Sequence, residues 1–164
     1  MQTLDKPDTR HPLLPAPLSL PLKLIPARFH STVLVAALNR IFSGDLADGE
    51  LDFMQDRVLQ IRVEDTGIEY RFTVADDRFM TCDTSRPADL TLNGTVYHYL
   101  LLASRREDTD TLFFSRRLRL EGDTELGLYV KNFLDGLDMD AHRVPGYLEA
   151  ALQKSLPVYE RLFG

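Results

Sequence analysis

The stretch "LEGDTEL", Leu120 to Leu126, sets three carboxylates, Glu121, Asp123 and Glu125, around one glycine. Neighbouring carboxylates are the raw material of general acid–base chemistry. They are also what a helix start requires. Asp123 suits the position that accepts from the free N–H groups of a first turn, and Glu125 suits the positive end of the helix dipole. Capping accounts for these acids more simply than catalysis. A phosphate loop needs several glycines and a Lys-Ser or Lys-Thr pair, and neither Gly94 nor Gly122 has them. His11, His30, His98 and His142 are scattered, with no His-x-x-x-His spacing, so no metal site is expected, and His98 reads as a surface or satisfied histidine. No Gly-x-Ser-x-Gly turn is present to carry a nucleophile. Cys82 is the one cysteine; in the alternating "RFMTCD" it reads as a small buried hydrophobe and excludes an internal disulfide. The expectation is no catalytic residue, no metal and no cofactor.

The elements around these residues follow from periodicity. "PARFHSTVLVAALNRIF" is a helix opened by Pro26 and stopped by Ser43-Gly44, with Phe29, Val33, Ala37 and Ile41 on one face and Leu34, Val35 and Leu38 making its middle apolar nearly all round. A short strand is expected near Leu51 to Met54. "RVLQIRVE", "IEYRFTV" and "RFMTCD" alternate with period two and are joined by turns at Asp65-Thr66-Gly67 and Ala75-Asp76-Asp77-Arg78, an antiparallel meander. "LTLNGTVYHYLLLA" and "LRLEGDTELGLYVK" then repeat a strand, a glycine and a helix, and "VPGYLEAALQKSLPVYERLF" closes the chain as a helix interrupted or kinked near Pro157. That order reads as α+β, helices mainly on one face of a mixed sheet.

The 164 residues suffice for one domain, and a net charge of −6 disfavours nucleic acid as a partner, with Arg105-Arg106 and Arg116-Arg117-Arg119 the only basic clusters. The N-terminal "HPLLPAPLSLPLKLIP" is too broken by proline for a secretion signal, and no apolar run reaches the ~18 residues of a membrane span, so a cytoplasmic location is expected. The leucines of this arm need a surface, whether its own domain, another chain or a membrane interface beside Lys23 and Arg28. Apolar residues are in excess on the helices, as in Leu100, Leu101 and Leu102. They suit either an apolar ligand held between helices and sheet or a plainly filled core.

"ADLTLNGTVYHYLLLA" followed by "FFSRRLRLEGDTELGLYVKNFL" resembles the sterol carrier protein type 2 domain superfamily, through Ala88, Asp89, Leu90, Leu92, Gly94, Phe114, Arg117, Leu118, Leu120, Gly122 and Asp123. With the arm and the extension after Asp138, the chain is similar to a bacterial group of ubiquinone biosynthesis accessory factors. The resemblance implies a five-stranded sheet with an apolar cavity under its helices, in a domain at 26–138 between a disordered N-terminus and arm (1–25) and a helical extension (139–164). It implies a non-enzymatic protein of oxygen-independent ubiquinone synthesis that holds or presents a polyprenylated intermediate or other lipid, beside proteins of the UbiU and UbiV type. The lining candidates it suggests are Phe29, Val33 and Ala37 on the first helix, Phe113 and Phe114 before the last strand, and Val130, Phe133, Leu134 and Leu137 after it. Two other readings stay open: an interaction module docking partners through the arm, and a lipid-modifying enzyme using Asp123 or His98.

Overall fold

The computed structural model describes residues 12–15, 17, 24–137 and 146–164. The expectations for the N-terminus, for most of the arm and for the beginning of the C-terminal extension lie outside these residues.

Five strands form one mixed sheet: β1 (Leu59–Val63), β2 (Ile68–Ala75), β3 (Arg78–Thr81), β4 (Leu90–Gly94) and β5 (Arg119–Gly122), in the order β3-β2-β1-β4-β5. The meander is antiparallel as its turns require. Gly67 and the pair Asp76-Asp77 adopt the positive φ that tight hairpins demand. β4 then pairs with β1 in parallel, and β5 with β4 antiparallel. The register aligns Phe72, Leu59, Leu90 and Gly122 in one row and Tyr70, Ile61, Leu92 and Leu120 in the next row on the same face. Side chains alternate across a strand, so this face is apolar and the other is polar. On the polar face Arg62 pairs with Glu69 at 2.8 Å, and the connection from β3 to β4 is held by Arg71, which donates to the carbonyls of Thr84 and Arg86.

The helices cover the apolar face. They are α1 (Ala27–Ile41), α2 (Ser43–Ala47), α3 (Val96–Ser104), α4 (Thr109–Phe114), α5 (Thr124–Gly136) and α6 (Gly146–Phe163). Two clusters result. The larger joins α1 and α5 to the sheet through Leu59, Phe72, Phe79, Leu90, Leu126 and Val130; the smaller joins α3, α4 and α6 through Leu101, Leu112, Leu118 and Leu156. Each fully buried side chain of this size contributes about 1.5–3 kcal/mol.

Several elements differ from the sequence reading. The strand expected near Leu51 to Met54 is a 3-10 turn at Asp52–Met54. Leu51 and Met54 are both buried, and a spacing of three stacks them on one side of such a turn, whereas a strand would point them apart. Ser43-Gly44 ends α1 but opens the short α2, and Pro26 precedes α1 as its N-cap in extended conformation. α6 runs unbroken through Pro157, with Leu156 and Tyr159 buried on either side of the proline. Phe113 and Phe114 lie on α4, and Cys82, just past β3, is half-buried.

The joint between β5 and α5 is the tightest in the fold. Gly122 has φ +124°, and a Cβ there would stand 2.3 Å from the carbonyl oxygen of Asp89. The same oxygen accepts from the Asp123 N–H at 2.8 Å, while the Asp89 carboxylate accepts from Val58 N at 2.7 Å. Gly122→Ala should therefore lower unfolding free energy by at least about 2 kcal/mol, because left-handed strain adds to a backbone collision. Urea unfolding checks this, and a cost below half a kcal/mol would contradict it.

Candidate functional site

Two helices, α1 and α5, are each fixed to one edge of the sheet. Asn39 on α1 donates from Nδ2 to the Phe79 carbonyl (2.9 Å) and accepts from the Phe79 N–H at Oδ1 (2.8 Å), so its amide pairs with the free backbone of edge strand β3. At the opposite edge, Asp123 caps α5 by accepting from Leu126 N (2.9 Å), and Arg57 pairs with Asp123 at 3.3 Å and with Asp89 at 3.6 Å. Lys131 on α5 pairs with Asp110 on α4.

Between the two helices, over β1 and β4, lies a cavity of about 110 Å³. Leu38 of α1 and Phe42 at its C-cap stand in its wall, α5 supplies Val130, Phe133 and Leu134, and the 3-10 turn supplies Met54 with Leu51 just before it. The floor is the apolar face of the sheet, from Leu59 and Ile61 to Leu92 and Leu120. Aromatic rings join the walls: Phe42 meets Phe133 edge-on at 5.6 Å, and Phe53 stacks on Tyr129 at 5.6 Å. Among the described residues around the cavity Gln60 is the one polar residue, and none is titratable.

The sequence-derived lining set is divided by this geometry. Val130, Phe133 and Leu134 meet at the cavity, and Leu137 is half-buried at the C-cap of α5. Phe113 is half-buried against the second cluster, and Phe114 is 94% exposed. Phe29 (62% exposed), Val33 (56%) and Ala37 lie on the outer face of α1, away from the cavity. The Asn39–Phe79 pairing sets the rotation of α1 and turns Leu34, Val35, Leu38 and Phe42 inward instead. Leu34, Leu38 and Phe42 repeat at four-residue spacing, a bulkier stripe than the one ending in Ala37, and this signal would have identified the inner face.

The groups that suggested chemistry serve the backbone. His98 is buried and its Nδ1 accepts from Thr95 N, while Thr95 Oγ1 accepts from His98 N, a capping box at the start of α3. Tyr99 donates to the carbonyls of Arg62 and Leu92, and burial pushes its phenol up. Tyr97 donates to Glu160 at 2.8 Å and is raised to about 12 by burial and by that carboxylate. Among the described residues no group of His, Cys, Asp and Glu is placed to hold a metal.

Asp123 titrates as a cap should. The Leu126 N–H above all, helped by the Arg57 charge, holds its carboxyl below the usual range. A depressed folded pKa gives stability that is present above the unfolded value of 3.8 and lost as pH falls through the folded one. Asp123→Asn keeps an acceptor for Leu126 N–H without a charge. The stability advantage of wild type over this variant should be constant at neutral pH and vanish as acid protonates Asp123, read by urea unfolding between about pH 7 and pH 2. A difference independent of pH would contradict it. The two faces of α1 and α5 separate by packing: Val130→Ala should cost about 1–2 kcal/mol, and Phe29→Ala less than about 0.5 kcal/mol, in the same assay.

Comparison with known proteins agrees with this geometry. A family model described as the SCP-2 sterol transfer family matches residues 37–135. The ubiquinone biosynthesis accessory factor UbiT of Escherichia coli (strain K12) is 40% identical over 126 residues, covering 77% of this chain and 72% of that protein, and UbiT of Escherichia coli O157:H7 matches to the same extent. Among solved structures, a UbiJ-SCP2 ubiquinone synthesis protein shares the fold with a TM-score of 0.53 at 14% identity, covering 66% of this chain and 95% of that one. A sterol carrier protein 2 from Yarrowia lipolytica in apo form aligns over 65% of this chain and 90% of its own at 14% identity, with a TM-score of 0.43. The match covers the meander, the parallel β1–β4 pair and nearly all of α5, and the chain belongs to the SCP-2 sterol transfer family.

Proposed function

We propose that this chain is a non-catalytic, lipid-binding accessory factor of ubiquinone biosynthesis, whose cavity between α1 and α5 holds the apolar tail of a polyprenylated intermediate and presents its ring to modifying enzymes. The observation that carries the reading is the cavity itself: an apolar space with no titratable side chain among its described lining residues, on a family fold. The 40% identity to UbiT supports the pathway. The oxygen-independent branch and partners of the UbiU and UbiV type belong to this reading as expectations of the same kinship.

Such a site binds by excluding water. Each methylene transferred from water contributes about 0.8 kcal/mol, so a few prenyl units suffice for tight retention without a single directed contact. The present volume equals the liquid share of about four waters, so a long tail enters only as α1 and α5 part. The aromatic contacts Phe42–Phe133 and Phe53–Phe133 are the ones that yield. At the described part of the arm, Leu14 N donates to Asp65 at 3.1 Å, which ties that piece to the domain. No helix among the described residues is long and apolar enough to cross a membrane.

The full chain, purified without detergent and extracted with organic solvent, should yield a prenylated or other lipid near one equivalent by mass spectrometry. Val130→Trp, which fills the space, should reduce that yield severalfold while the protein stays folded. No lipid in either protein, together with no uptake of a prenylated phenol on titration, would overturn the reading.

A further inference from the structure

The chain carries a net charge of −6, yet residues 105–119 contain five arginines against three carboxylates. Arg117 pairs with Glu107 and Arg119 with Glu64. Arg105, Arg106 and Arg116 are exposed and have no ion pair among the described residues. The Arg117–Glu107 bridge draws the loop after α3 against the turn after α4, so the three free guanidiniums flank one salt bridge. Arg105 and Arg116 both hold left-handed backbone, with φ of 54° and 58°. Glycine or asparagine is the usual occupant of such positions, so turn geometry gives no reason for arginine.

Phe114, two residues before Arg116, is 94% exposed. It borders an open groove of about 580 Å³ between α4 and α5, together with Thr111, Phe113, Ser115 and the Asp110–Lys131 pair. The nearby carboxylates are engaged: Asp110 with Lys131, Glu107 with Arg117, and Asp108 as the cap of α4.

We propose that this corner is a docking surface for an anionic lipid bilayer, with Arg105, Arg106 and Arg116 on headgroup phosphates and Phe114 seated in the interface. Guanidinium groups bind phosphate through paired N–H donors, and clustered arginines are drawn to an anionic leaflet. An anionic leaflet satisfies the arginines, and its interface takes the apolar ring that no part of the described chain covers. The inference rests on the lipid-carrier reading, because α5 serves both places: Val130 lines the cavity and the next residue, Lys131, lines the groove. Docking here sets the cavity wall against the source of its lipid.

Flotation of the full chain with phosphatidylcholine vesicles containing 30% phosphatidylglycerol, and with pure phosphatidylcholine, tests it. Wild type should bind the anionic vesicles, less so as salt rises. The triple variant Arg105→Asn, Arg106→Gln, Arg116→Asn, whose asparagines tolerate the left-handed backbone, should lose roughly a hundredfold in partitioning. Phe114→Ser should lose roughly tenfold. No binding by wild type, as an acidic protein partner would predict, or equal binding by the variants, would overturn it. Lipid extraction from the same variants separates the two ideas: retained cavity lipid with lost flotation supports docking here, and intact flotation without cavity lipid sinks only the carrier reading.

Discussion

Two attachments at opposite edges of the sheet govern the rest of the molecule. At one edge the Asn39 amide pairs with both backbone groups of Phe79; at the other, Asp123 N–H meets the Asp89 carbonyl across a position where only glycine fits. Five strands at about 4.8 Å spacing make an apolar face roughly 19 Å across, and a helix with its side chains covers about 10 Å of it. Two helices pinned at the margins therefore reach the middle with little to spare. The cavity over β1 and β4 is the seam where they meet, and its place follows from where the helices are anchored.

The same anchoring explains what could be read in advance and what could not. The strands were legible because period two and the turns at Gly67 and Asp76-Asp77 are local, and the α5 start because Asp123 caps its own first turn. The rotation of α1 was not, because its middle is apolar all round and the contact that decides it joins Asn39 to a backbone 40 residues away. Helical spacing alone groups Phe29, Val33 and Ala37 on one face without saying that this face is the outer one. Leu51 and Met54 looked like a strand until their spacing of three was satisfied by a 3-10 turn. Pro157 has the force to break a helix, yet burial of Leu156 and Tyr159 holds α6 in one piece.

The described residues lining the cavity carry no titratable side chain, and what such a surface supplies is exclusion of water. His98 and Asp123, the polar residues the sequence offers for chemistry, each cap a helix.

The absence of tryptophan from the chain allows a direct measurement of where a lipid tail goes. Phe133→Trp puts a single reporter at the cavity, and Val33→Trp puts one on the outer face of α1. Titrated with a phospholipid brominated on its acyl chain, below the concentration at which it aggregates, the Phe133→Trp protein should be quenched saturably near one equivalent and the Val33→Trp protein should not. Quenching of the outer reporter with the inner one silent would contradict the account.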